Sequence, residues 1–262
     1  MNKWEDFRRY RDLVIALALR DVKMRYQLTV LGLYWAIINP LLTALIMGFI
    51  FEKIFRASGL EGVPYVIYLF TGLTFWNLFA NSVTTAANCL TGQAALLSKQ
   101  YFPRIILPIA SVLARFVDML LSMVAVFIIL YIYDISVGPY AWQIVGLLII
   151  QLIFTLGMSF LVSSLNVLFR DVSQIVTILL ALWMYLSPIF YSFNQIPGDL
   201  SFKNYILYNA IGQIVDMERN ALLGGPGLNL DILLVSFGIS CATFFFGYVV
   251  FKRIEPLIAE VM

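Results

Sequence analysis

The chain has no histidine at all, which removes imidazole general acid–base catalysis and the commonest transition-metal ligand. Charge is scarce: only 12% of its 262 residues are Asp, Glu, Lys or Arg, and the net charge is +2. That balance is too small to recruit nucleic acid, and no basic block or RNA-binding signature occurs. The two cysteines, Cys89 and Cys241, lie far apart in apolar settings and define no disulfide framework. No GxxxxGK[ST], HExxH, GxSxG or CxxC stretch is present, so the chain carries neither a P-loop nor a familiar hydrolytic or metal motif. No cleavable signal peptide is evident, because the first dozen residues are charged.

What is present is oil. Hydrophobic residues make up 61% of the chain, the mean hydropathy is +0.90, and several runs approach the roughly 20 residues that cross a bilayer as helix. The composition predicts an all-α integral membrane protein with six transmembrane helices, over 30–51, 65–85, 105–133, 142–169, 173–191 and 230–251. Pro40 and Pro108 are expected to bend the first and third. Basic residues divide unevenly between the flanks. Lys3, Arg8, Arg9, Arg11, Arg20, Lys23, Arg25, Lys99, Arg104, Arg170, Lys252 and Arg253 share one side, and Lys53, Arg56, Lys203 and Arg219 the other. The positive-inside rule then places both termini in the cytoplasm.

Ahead of the first span, 1–27 has the spacing of an amphipathic interface helix. Trp4, Phe7, Tyr10, Val14 and Leu17 recur every three or four residues among Arg8, Arg9 and Arg11, which suits aromatics in headgroups and arginines near anionic lipid, or a plain membrane anchor. Between spans five and six, 192–229 is too apolar for a solvated loop. It reads either as helices that dip into the bilayer without crossing, or as a flat cap on the outer surface.

Two ionisable groups sit deep in an apolar run. Arg115 and Asp118 share a helix face at i,i+3 spacing and can neutralise one another, as a structural ion pair or as a polar point that shifts between states. With its carboxylate so paired, the chain lacks the unpaired intramembrane carboxylate of an ion-driven secondary transporter. Aromatics are in surplus, with 21 Phe, 14 Tyr and 5 Trp. Tyr34, Trp35, Phe75, Trp76, Trp183 and Tyr185 fall within or at the ends of spans. They serve either as packing and belt residues or as a wall of ring faces on which a sugar chain slides.

RDVKMRYQLTVLGLYWAIINPLL at 20–42, LLSKQYFPRIILPIA at 96–110, LNVLFRDVSQIVTILLALWMYLSPIFYSFNQIP at 165–197 and ERNALL at 218–223 together resemble the permease subunits of bacterial ABC exporters for polysaccharides, of the O-antigen, teichoic acid and capsule type. The resemblance implies a single transmembrane domain over 1–262 that works as a homodimer in the bacterial inner membrane. Its partners would be two copies of a separate ABC ATPase carrying ATP and Mg, with no cofactor, metal or catalytic residue in this chain. The cargo would be a lipid-linked polysaccharide passing along the dimer axis. It also implies that Leu96, Leu97, Ser98, Lys99, Gln100, Tyr101 and Phe102 form a coupling helix docked on the ATPase and ended by Pro103. The outer segment 196–223 would be re-entrant, although the family's frequent Asn-Pro is Asn209-Ala210 here. Two other readings stand beside it. One is a permease of the same architecture that exports a drug or lipid, and the other is a membrane scaffold without transport.

Overall fold

Long apolar runs punctuated by glycine and proline fold as helices because a backbone in or beside lipid must satisfy its own N–H and C=O groups. The structure, a computed structural model, describes residues 3–27, 29–54, 59–93, 103–191, 205 and 208–261. Among them are eight α-helices and no strand. They are α1 (Lys3–Tyr26), α2 (Trp35–Lys53), α3 (Tyr65–Ala87), α4 (Ile106–Ile132), α5 (Ile144–Leu168), α6 (Val172–Leu186), α7 (Ala210–Leu223) and α8 (Leu230–Val261).

Among the described residues, five helical segments are long and apolar enough to cross a membrane: Gly32–Lys53, Tyr65–Ala87, Ile106–Ile132, Ala141–Leu168 and Leu230–Leu257. The expected span over 173–191 is shorter than read from sequence. Its helix, α6, has 15 residues, which rise roughly 22 Å against a hydrocarbon core of about 30 Å. The stop is Ser187, extended at φ −99° and ψ 150°, because a residue that precedes proline is pushed out of the helical region.

The two prolines behave differently. Pro40 lies inside α2 and has no N–H for the carbonyl of Ala36, and the Ser122 hydroxyl of α4 donates to that carbonyl at 2.8 Å instead. Pro108 lies in the first turn of α4, where no intrahelical donor is lost, so the bend expected there has no cause.

The most extensive packing joins α5 to α8. A Cβ on Gly247 would stand 2.0 Å from the Gly157 carbonyl oxygen, and one on Gly157 would stand 2.6 Å from the Phe244 backbone. Small residues there let two backbones touch, as apolar helices without a water-driven force between them require. Beside this contact Phe160 meets the rings of Phe244, Tyr248 and Phe251.

Helix α1 does not lie free. Leu17 and Ala18 are buried against Ile106, Leu107, Ala110 and Ala114 of α4 and Phe251 of α8, while Arg8, Arg9, Tyr10 and Arg11 are exposed. At the opposite end of the bundle lies α7, every residue of which is buried. Asn209 caps it, accepting from Gly212 N at 3.3 Å. Ala210 takes the first helical position, the place proline favours, so the chain turns without it. Gly224, at φ +77°, closes the helix, and Gly225 N donates to the Asn220 carbonyl at 2.8 Å. The loop after α4 presses in so closely that a Cβ on Gly138 would be 2.5 Å from the Ala221 carbonyl oxygen. Of the segment expected to be re-entrant, 192–204 and 206–207 lie outside the described residues.

Candidate functional site

Asp118 and Arg115 of α4 together join three elements. Asp118 Oδ2 accepts from Arg115 Nη1 at 3.2 Å, one turn away on α4. It also accepts from Arg25 at the end of α1, and Asp118 Oδ1 accepts from the Tyr26 hydroxyl at 2.8 Å. Arg115 Nε turns the other way and donates to Thr85 Oγ1 of α3 at 2.8 Å. Burial first, and then the adjacent Asp118 carboxylate, push the Tyr26 hydroxyl up from its ordinary pKa, so the phenol keeps its proton and acts as donor. Two guanidiniums around one carboxylate leave a net positive charge, and side-chain exposures of 22%, 22% and 15% for Arg25, Arg115 and Asp118 leave that charge only partly screened.

This cluster forms one wall of a cavity of about 430 Å³ between the end of α1, α2, α3 and α4. Trp35, Asn39 and Thr43 line it from α2, and Thr74, Asn77 and Asn81 from α3. Carboxamides offer a donor and an acceptor on one rigid plane, and an indole offers a π-face. The cavity can therefore hold hydroxyl-rich ligands and tolerate a negative group beside Arg25 and Arg115. The three asparagines escaped the sequence reading because single polar residues at one point of an apolar helix make no periodic pattern.

The six aromatic residues expected at a sugar wall do not share one environment. Tyr34, Trp35 and Tyr185 are exposed at 69%, 38% and 48%, while Phe75 and Trp76 are buried at 0% and 2%. Trp76 packs edge-on to Phe79, and Phe79 in turn meets Trp183. The Trp183 indole N–H donates to Asn209 Oδ1 at 3.0 Å. Phe75, Trp76 and Trp183 thus tie α3 and α6 to their neighbours, and in this arrangement only Trp35 of the six reaches the cavity. Tyr185 stacks on Phe190 at 5.2 Å, and Phe51 on the same ring at 5.1 Å.

Leu96, Leu97, Ser98, Lys99, Gln100, Tyr101 and Phe102 lie outside the described residues, as do the side chains of Trp4 and Phe7. Just beyond that segment, Arg104 Nη1 donates to the Glu255 carbonyl of α8 at 2.6 Å, so the start of α4 is tied to the last turns of the chain. Of the interface arginines, Arg11 pairs with Asp12 at 2.8 Å in the open.

A second charged group was hidden from sequence. Arg219, counted among the basic residues on the side opposite the termini, is fully buried. It pairs with Asp216, donates to the carbonyls of Pro188 and Ile189 at 3.0 and 2.9 Å, and covers the Tyr68 ring. Glu218 beside it is also fully buried, and neither carboxyl oxygen has a hydrogen-bond partner among the described residues. Glu218 lies on α7, outside the helices that are long and apolar enough to cross a membrane. Among the described residues no group of His, Cys, Asp and Glu can hold a metal ion.

Comparison with known proteins bears on the chemistry. The family model described as "ABC-2 type transporter" matches residues 12–213. The O-antigen export system permease protein RfbA of Klebsiella pneumoniae is 30% identical over 253 residues, 96% of this chain and 95% of the relative. The protein of that name from Myxococcus xanthus is 32% identical over 195 residues, 72% of each chain. The polysialic acid transport protein KpsM of Escherichia coli is 25% identical over 251 residues, 92% of this chain and 93% of the relative.

Proposed function

Since this chain belongs to the ABC-2 type transporter family, we propose that it is the membrane-spanning permease of an ATP-driven exporter of lipid-linked polysaccharide. One observation carries the reading: relatives aligned along more than nine-tenths of this chain are named as permeases or transport proteins for O-antigen and polysialic acid. The family match weighs against ion-driven transport. A polar cavity that presents carboxamides, an indole and net positive charge suits a sugar chain that leads or trails a phosphate.

In this reading the protein sits in the bacterial inner membrane with both termini in the cytoplasm. Helix α6, prolonged by 187–191, completes six crossings, and α7 belongs to a re-entrant outer segment. Two copies face one another across the export path. Each docks through 96–102 on an ABC ATPase that holds ATP and Mg, and this chain performs no chemistry of its own. Closure of the ATPase pair moves the start of α4. Because α1 is packed along that half of α4 and its last turn grips Asp118, the interface helix travels with it and the cavity wall changes shape.

The test is reconstitution with the partner ATPase. Lys99→Glu combined with Leu97→Trp is expected to leave the protein in the membrane while abolishing ATP-dependent export of polysaccharide. Export that survives those changes, or that proceeds without the ATPase, overturns the reading.

A further inference from the structure

A second cavity, of about 240 Å³, opens at the other end of the molecule between α7, the first turn of α8 and the turn Ala141–Gln143. We propose that it is a separate saccharide subsite that takes one neutral, hydroxyl-bearing sugar ring; the proposal rests on the polysaccharide reading and adds to it a point where the chain is held on the side away from α1.

Size comes first. Drug-sized ligands occupy pockets of roughly 300–1,000 Å³, so this one admits a single ring and not a length of polymer. Chemistry follows from which polar functions are already committed. Asn229 caps α8, its Oδ1 accepting from Asp231 N at 3.0 Å and Ile232 N at 3.4 Å, which leaves its amide N–H₂ as a fixed donor. Asn220 Nδ2 donates to Asp216 Oδ2 at 3.0 Å, which leaves Oδ1 as a fixed acceptor. Gln143 Oε1 is buried with no partner among the described residues. These carboxamide donors and acceptors, with Gln213 as a further polar residue of the wall and Met217 and Ile232 as its apolar part, match the alternating hydroxyls and C–H face of a pyranose.

Charge decides against the other ligand classes. The carboxylate in the wall, Asp216, is neutralised by Arg219, so a metal cation meets no uncompensated negative charge. No Lys or Arg lines the cavity, so a phosphate has no counter-charge. A neutral polyol is what the remaining groups can satisfy.

The experiment uses the full-length chain in detergent. Ligand-observed saturation-transfer NMR is run with the methyl α-glycosides of mannose, galactose and N-acetylglucosamine, and calcium and inorganic phosphate are added as competitors. Gln143→Leu keeps the shape and removes the acceptor. Asn229→Asp keeps the helix cap and replaces the donor with a charge. At least one glycoside is expected to show transfer, each variant is expected to weaken it several-fold with an unchanged melting temperature, and neither competitor is expected to displace it. Absence of transfer to all three glycosides, transfer untouched by both variants, or displacement by calcium or phosphate overturns the subsite. A wild-type chain that exports polysaccharide with its ATPase yet shows no glycoside signal overturns the subsite alone and leaves the export reading standing.

Discussion

The guanidinium carbon of Arg219 lies 3.7 Å from the centroid of the Tyr68 ring. The two residues come from α7 and α3, and Arg219 Nη1 would be 3.3 Å from a Cβ placed on Gly72, so the plane of the guanidinium is set against α3 along its whole width. Its N–H edge is held by Asp216 and two carbonyls. Arg219→Lys keeps the charge and loses both the fork and the stack. We expect it to cost about 2 kcal/mol or more, the scale of a desolvated cation–π contact, and Arg219→Ala about 3–5 kcal/mol because Asp216 is then buried alone. Thermal melting in detergent reads both, and an unchanged midpoint for Arg219→Ala rejects the account.

Asp118 offers a sharper test of coupling. Asp118→Asn preserves shape and leaves Arg25 and Arg115 without their shared anion, at an expected cost of about 3 kcal/mol. A double-mutant cycle between Arg25→Gln and Asp118→Asn should give an interaction energy of at least about 1 kcal/mol across α1 and α4. ATP turnover of the assembled complex should fall in the same variants. Additive effects on stability would mean that α1 is held by its apolar face alone.

Pro40 and Ser122 make a compensating pair. Ser122→Ala strands the Ala36 carbonyl and should cost about 1–3 kcal/mol. In a Pro40→Ala background the restored N–H can take that carbonyl, and the same serine change should then cost under about 1 kcal/mol. Equal costs in the two backgrounds would show that the hydroxyl matters for some other reason.

Glu218 gives a pH signature. Burial, with no hydrogen-bond partner among the described residues, pushes its carboxyl well above the ordinary range, so the folded protein keeps a proton that the unfolded chain releases above pH of about 4.3. The folded state then binds more protons than the unfolded state, and stability falls as pH rises through that window, by up to about 1.4 kcal/mol per pH unit for one group. Glu218→Gln removes the titration. The variant should melt higher than the parent by a margin that widens as pH rises from about 5. A margin that stays flat as pH rises contradicts a neutral carboxyl.

The helices were legible because apolar runs of that length have few other fates. The Arg115–Asp118 contact was legible because its partners are one helical turn apart. Arg25 and Tyr26 were not, since they reach Asp118 across more than 90 residues of chain. The burial of Arg219 was not legible, because Tyr68 and the 188–189 carbonyls that enclose it lie far from it in sequence. That Phe75 and Trp76 are buried within the protomer was not legible, because ring content says nothing about which way a ring faces. The end of α6 could have been found, since Ser187-Pro188 is a local stop signal inside an apolar run.

The glycine contact between α5 and α8 has a mechanical consequence. With Gly247 packed on the Gly157 carbonyl, a slip of either helix by one residue brings a side chain into a gap with room for none. The two helices form an anchored spine, and shape change during a cycle falls to the elements leaning on it. Spin labels on exposed positions of α5 and α8 should report one fixed separation with and without nucleotide, while a pair on α1 and α5 should not.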